Sequence, residues 1–184
     1  MYPKTSVFVA TSLDGFIARL DGSIDWLEAA NKAVPEGEDC GFSRFFATID
    51  LLVMGRHTFE QVKAFGDWPY GRTPVLVLTR RHVDIPPALA GFVKSSNETP
   101  TELMQRMAMR GTRQVYVEGG LTVQTFIAAG LIDELTVTTI PILLGRGRPL
   151  FGQLTRDLQL EHQHTHAYPF GFVQSTYKVV NNDA

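Results

Sequence analysis

Short apolar runs recur along the chain, each closed by polar or glycine residues: Val7-Phe8-Val9-Ala10, Leu51-Leu52-Val53-Met54, Val75-Leu76-Val77-Leu78 and Val115-Tyr116-Val117. Runs this brief, aliphatic and without polar alternation suit strands covered on both faces, which predicts a parallel core. Helical spacing fills the intervals. Phe42, Phe45, Phe46 and Ile49 fall at i, i+3, i+4 and i+7, and Leu103, Met104, Met107 and Ala108 repeat that stripe. A further helix is predicted from Val123 to Ala129, stopped by Gly130. Beyond it, Leu135 to Ile140 and Phe172 to Val179 carry mixed β-branched and polar residues, which predicts an antiparallel pair at the C-terminal end. The expectation is an α/β fold over residues 1–184 as one domain, with a mostly parallel central sheet, flanking helices and a C-terminal antiparallel hairpin. Pro69, Pro74 and Pro86-Pro87 mark surface loops.

Composition narrows the partners. A chain of 184 residues with a formal charge of -2 can bury one core, and it has no basic stretch with which to grip nucleic acid or an anionic membrane surface. Small molecules are the expected partners. The single cysteine, Cys40, excludes an internal disulfide, and no Cys and His cluster has zinc spacing, so no metal is expected. The segment behind Met1 is too short for a signal peptide or a membrane span, which makes the cytoplasm the expected location. His162, His164 and His166 alternate along a predicted strand and would share one face; without a carboxylate or cysteine at matching spacing they read as an exposed strand face, not a metal site.

Three strand ends carry phosphate-compatible chemistry. At Met54-Gly55-Arg56-His57-Thr58-Phe59-Glu60 a strand ends at glycine and a helix is predicted behind Thr58, so unpaired N–H groups and a guanidinium converge; the same residues also suit a plain capped loop. Leu78-Thr79-Arg80-Arg81 offers a hydroxyl and two guanidinium groups. Glu118-Gly119-Gly120-Leu121-Thr122 places paired glycines at a helix start, which serves a pyrophosphate or simply a tight turn. Parallel strands bring their carboxyl ends to one edge, where α/β sheets bind ligands, so one extended anion could span all three. Neither GxGxxG nor GxxxxGK[ST] occurs, which counts against an ordinary Rossmann site or a P-loop.

The segment Met54 to Glu60 closely resembles the MGRxT(F/W/Y)E signature of the dihydrofolate reductase superfamily, and Thr11-Ser12-Leu13-Asp14-Gly15-Phe16-Ile17-Ala18 resembles the loop after its first strand. Within that superfamily, Val117-Glu118-Gly119-Gly120 and Pro141 to Phe151 are most similar to the reductase domain of the bifunctional riboflavin deaminase-reductases. The resemblance spans nearly the whole chain and implies the three-layer dihydrofolate reductase-like fold, NADPH as cofactor and a homodimer. It implies that Gly55, Arg56, His57 and Thr58 contact the pyrophosphate and 2′-phosphate side, and that Leu78, Thr79, Arg80 and Arg81 finish the 2′-phosphate pocket. Gly119, Gly120, Leu121 and Thr122 would hold the diphosphate, and Ala10 and Ile17 would line the nicotinamide. Asp39 stands where dihydrofolate reductases keep their substrate carboxylate, and equally suits a helix start. Asp14 and Trp26 are weaker substrate-binding candidates, the first also an ordinary turn residue, the second also a core residue. Gly145-Arg146-Gly147-Arg148 suits a loop touching a substrate phosphate or a dimer turn. The implied activity is hydride transfer to a small heterocyclic or phosphoribosyl-amine substrate, as in 5-amino-6-(5-phosphoribosylamino)uracil reduction. A pterin reductase and a non-catalytic NADPH-binding module are the alternatives. The zinc signature of the deaminase half is missing from this chain.

Overall fold

The computed structural model describes residues 2–180. The elements follow as β1 (Lys4–Ser12), β2 (Phe16–Ala18), α1 (Asp25–Asn31), α2 (Phe42–Phe46), β3 (Leu51–Gly55), α3 (Arg56–Ala64), β4 (Val75–Leu78), β5 (Val93–Ser96), α4 (Pro100–Met109), β6 (Gln114–Glu118), α5 (Gly120–Ala128), β7 (Glu134–Ile140), β8 (Arg148–Pro149), β9 (Gln159–Ala167) and β10 (Val173–Val180). Eight strands make one sheet in the order β5-β4-β3-β6-β1-β7-β10-β9, and β2 pairs with β8 in a separate ribbon. From β5 to β7 every neighbouring pair is parallel; β10 and β9 then add on antiparallel. The predicted parallel core and C-terminal hairpin are both present. β7 is the join, parallel to β1 on one side and antiparallel to β10 on the other.

Alternation along the central strands builds two cores. Val7, Leu51, Val53, Val115 and Val117 face one way, against Leu103, Met104 and Met107 of α4 and Val123, Phe126 and Ile127 of α5. Leu52, Met54, Val75, Val77 and Tyr116 face the other way, against Phe59 and Val62 of α3, with the α2 phenylalanines packed alongside. Continuous apolar strands follow from this arrangement, since both faces are covered. A third cluster joins Trp26 of α1 to Ile140 and Phe172. No helix among the described residues is long and apolar enough to cross a membrane.

Two local expectations need correction. Helix α3 starts at Arg56 with Gly55 as its N-cap, ahead of Thr58, because the extended backbone of Gly55 (φ -81°, ψ 162°) turns directly from strand to helix. The histidines do not share a face. A register shift opposite Thr176/Tyr177 leaves Gln163 unpaired, which is a β-bulge. His162 therefore stacks edge-on with Tyr177 and bonds Thr165, which bonds Ser175, whereas His164 and His166 pair with Thr176 and Gln174 of the opposite face.

Candidate functional site

The order of strand formation opens the sheet at one place. The chain lays down β1, moves outward through β3, β4 and β5, returns with β6 between β3 and β1, and crosses to β7 on the far side. A crevice at such a reversal, at the carboxyl ends of the strands, is where open α/β sheets bind ligands. Here it is physically open: β1 pairs with β6 only from Lys4↔Gln114 to Ser6↔Tyr116, but with β7 as far as Ser12↔Ile140. Beyond Ser6 the contact becomes a side-chain one, in which the Tyr116 hydroxyl donates to the Phe8 carbonyl at 2.8 Å.

Three helices start along this edge, and their first turns differ. Helix α4 closes its own terminus with a capping box, Thr99 accepting from the Glu102 N–H while Glu102 accepts from Thr99. Helices α3 and α5 begin at glycines with no side-chain cap. These two uncapped termini interlock. A Cβ on Gly119 would collide with the Thr58 hydroxyl of α3, and one on Gly55 would lie 2.8 Å from the Thr122 hydroxyl of α5. Gly120 in turn lies under Ile17, whose Cδ1 would stand 2.7 Å from an added Cβ. The β2–β8 ribbon is fastened there by Gln124, which donates to the Pro149 carbonyl at 3.0 Å. Gly55, Thr58, Gly119, Gly120, Thr122 and Ile17 thus form one cradle in which the glycines let the two uncapped helix starts pack closely, and paired helix N-termini suit a diphosphate.

The basic residues flank this cradle. Gly55 and Leu78 are register partners, so Arg56 and Thr79 are neighbours at the edge. Arg56 is held by Glu60 at 2.7 Å, with the exposed His57 beside it. The Thr79 hydroxyl accepts the Arg81 N–H and donates to the Arg81 carbonyl, both at 3.0 Å, forming a turn that leaves Arg80 and Arg81 in solvent. Leu121 is exposed at the first turn of α5, and Ala10 is half-buried opposite Thr138.

The carboxylates separate by role. Exposed Asp39 is held below the usual carboxylate range by hydrogen bonding from the Ser43 side chain, then from the N–H groups of Ser43 at 2.8 Å and Gly41 at 2.9 Å. Gly41, not Asp39, is the N-cap of α2, and the Asp39 carboxylate accepts from N–H groups at that helix start from two residues further upstream. Asp14 fastens the segment after β7, accepting from Ser12, Leu144 and Gly145, and is likewise lowered. Trp26 is 3% exposed and packed in the third core cluster, with its indole N–H unpartnered. Asp14 is thus committed to the turn and Trp26 to the core. Arg148 is tied to the Leu20 carbonyl at 3.1 Å, whereas Arg146 is exposed.

A further acid at this edge is Glu118, the last residue of β6 and immediate neighbour of the glycine cradle. Its Oε2 accepts from the Tyr70 hydroxyl at 2.7 Å, and no ion pair reaches it among the described residues. Burial pushes its carboxyl up to about 7 against the opposing pull of that hydrogen bond. Half-buried Phe42 and Phe45 of α2 pack on Tyr116, two residues before Glu118, with Phe8 stacked on Phe45 at 4.9 Å, and Phe46 lies 5.6 Å from Tyr70. Sequence reading gave Glu118 no role of its own, only a place at the head of the Glu118-Gly119-Gly120-Leu121-Thr122 segment. The available signal was an acidic residue ending a strand of otherwise buried positions.

The sheet order and the open carboxyl edge define a dihydrofolate reductase-like α/β protein. The chain belongs to the RibD C-terminal domain family, which matches residues 3–173. It is 36% identical over 168 residues to uncharacterized protein YwjB of Bacillus subtilis (strain 168), covering 90% of this chain and 92% of that one. A crystal structure titled "Putative riboflavin biosynthesis protein" from Shewanella sp. PV-4 superposes with a TM-score of 0.89 at 36% identity, over 98% of this chain and 100% of the other. The Thermotoga maritima diaminohydroxyphosphoribosylaminopyrimidine deaminase/5-amino-6-(5-phosphoribosylamino)uracil reductase shares the fold, with a TM-score of 0.74 at 10% identity over 57% of its length.

Proposed function

We propose that the protein is an NADPH-dependent reductase of a small carbonyl- or imine-bearing substrate, related to the reductase step of riboflavin biosynthesis. The observation that carries this reading is the juxtaposition of the glycine cradle with Glu118 at one sheet opening. NADPH, when bound, supplies the hydride. The first turns of α3 and α5 bind the diphosphate through backbone N–H groups, and Arg56, Arg80 and Arg81 supply charge for the 2′-phosphate. Glu118 delivers the matching proton to the substrate nitrogen or oxygen as the adjacent carbon is reduced, and is reprotonated from water. A group titrating near 7 is suited to that exchange at neutral pH.

Calorimetric titration tests the cofactor assignment. NADPH is expected to bind more tightly than NADH, and Arg56→Ala or Arg80→Ala each to weaken NADPH by roughly tenfold or more while leaving NADH nearly unchanged. Equal affinity for the two nucleotides in the wild type would remove the 2′-phosphate pocket from the proposal. A screen of carbonyl, imine and pterin compounds for NADPH oxidation then identifies the substrate, and no turnover with any of them would favour a binding module.

We also propose a homodimer built on the β9 edge. All nine residues of β9 are exposed and its outer side has no strand partner among the described residues, while Phe151, Leu154 and Leu160 expose apolar surface beside it. Open edges of this length are normally covered. Sedimentation is expected to give a dimer, which Leu160→Glu should shift to monomer; a wild-type monomer at micromolar concentration would exclude this assembly.

A further inference from the structure

Tyr70 lies in the segment between α3 and β4, apart from every strand end and helix start that builds the cradle, yet its hydroxyl is the sole hydrogen-bond donor to the Glu118 carboxyl among the described residues. Its ring is 5% exposed and wedged between Trp68, edge-on at 5.2 Å, and Phe46 at 5.6 Å. A ring so enclosed cannot swing away from Glu118 without opening the core. We infer that Tyr70 is a positioning residue: its hydroxyl fixes one oxygen of Glu118 and leaves the other, Oε1, directed to the opening between β1 and β6 for proton transfer. Three observations support this assignment, which rests on the proposed role of Glu118.

Oε1 has no hydrogen-bond partner among the described residues and is not among their sealed, unpartnered atoms, so it is left unbonded and in reach of solvent. The Tyr70 phenol is itself pushed far above its ordinary range by burial and by the neighbouring carboxylate, so it keeps its proton and acts only as the donor to ionised Glu118. That donated bond draws Glu118 downward while burial drives it upward, and the balance falls near neutrality. Without Tyr70, burial alone would keep Glu118 protonated well above neutral pH and slow its release of a proton.

Infrared difference spectroscopy of the carboxyl stretch, from about pH 5 to 9, reads this ionisation without substrate or cofactor. The wild type is expected to show one buried carboxyl titrating near neutrality, absent in Glu118→Gln. In Tyr70→Phe the midpoint should rise by about one pH unit. Incorporation of 3-fluorotyrosine, a stronger donor that leaves the fold intact, should lower it. A Glu118 band that neither change moves overturns the assignment of Tyr70 and leaves Glu118 standing. A wild-type spectrum without that band overturns both.

Discussion

Gly119→Ala is expected to destabilise the protein by about 3 kcal/mol, to lower its melting temperature by roughly 6–12 °C and to abolish measurable NADPH binding. Gly119 combines φ 88° with ψ 132°, a conformation that L side chains rarely adopt. The added methyl would also meet the Thr58 hydroxyl of α3. Relief requires α5 to move away from α3, and that movement separates the two helix N-termini that form the cradle. A double-mutant cycle isolates the collision from the strain. Thr58→Ala removes the opposing hydroxyl, so Thr58→Ala/Gly119→Ala should regain about 1 kcal/mol of the loss while the backbone strain persists. Thermal melts and calorimetry measure both effects. Wild-type melting and NADPH affinity in Gly119→Ala would show that the cradle is neither tight nor used.

On the proposed reading, the interlocked termini let a nearly neutral protein bind an anionic ligand. Arg80 and Arg81 are solvated and Arg56 is already paired with Glu60, so side-chain charge is diffuse at this edge. The first turns of α3 and α5 provide fixed donors instead. Helix α4 starts at the same edge but is closed by Thr99 and Glu102, and behind it Glu98 is held down to about 2 by Arg106. On the proposed reading, capping chemistry selects which helices receive the ligand.

Much of this was legible before any coordinates. The two-sided apolar runs placed β1, β3, β4 and β6, and the glycines after them placed the cradle, because a buried parallel strand and a strand-to-helix turn both leave local signals. What escaped depends on contacts distant in sequence. The β2–β8 ribbon is three residues against two and acquires its place by closing over α5. Strand β5, with Lys94 and Ser95 exposed, is an edge strand too polar to stand out. The histidines changed faces through one unpaired residue, which no alternation count can register. The environments of Asp39 and Glu118 were hidden for the same reason: hydrogen bonds from Ser43 and Gly41 lower the first, whereas burial raises the second.

Glu118→Gln is expected to bind NADPH as the wild type does, to lose activity by roughly a hundredfold or more, and yet to be the more stable protein above neutral pH. The two outcomes share one cause. Glu118 rises from an ordinary 4.5 to about 7 on folding, so between those values the folded state binds more protons than the unfolded one. Stability therefore falls as pH rises through that window, by on the order of 3 kcal/mol once complete. Glutamine keeps an acceptor for the Tyr70 hydroxyl and carries no charge, so the variant escapes this loss. It should melt about 5 °C above wild type near pH 8, with the gap narrowing toward pH 5. In the wild type, activity should be highest where Glu118 is protonated and decline as pH passes about 7, a limb absent from the residual activity of the variant. An active Glu118→Gln would transfer the proton step to water or another group. A melting gap independent of pH would show that Glu118 is ionised at neutral pH like an ordinary surface carboxylate.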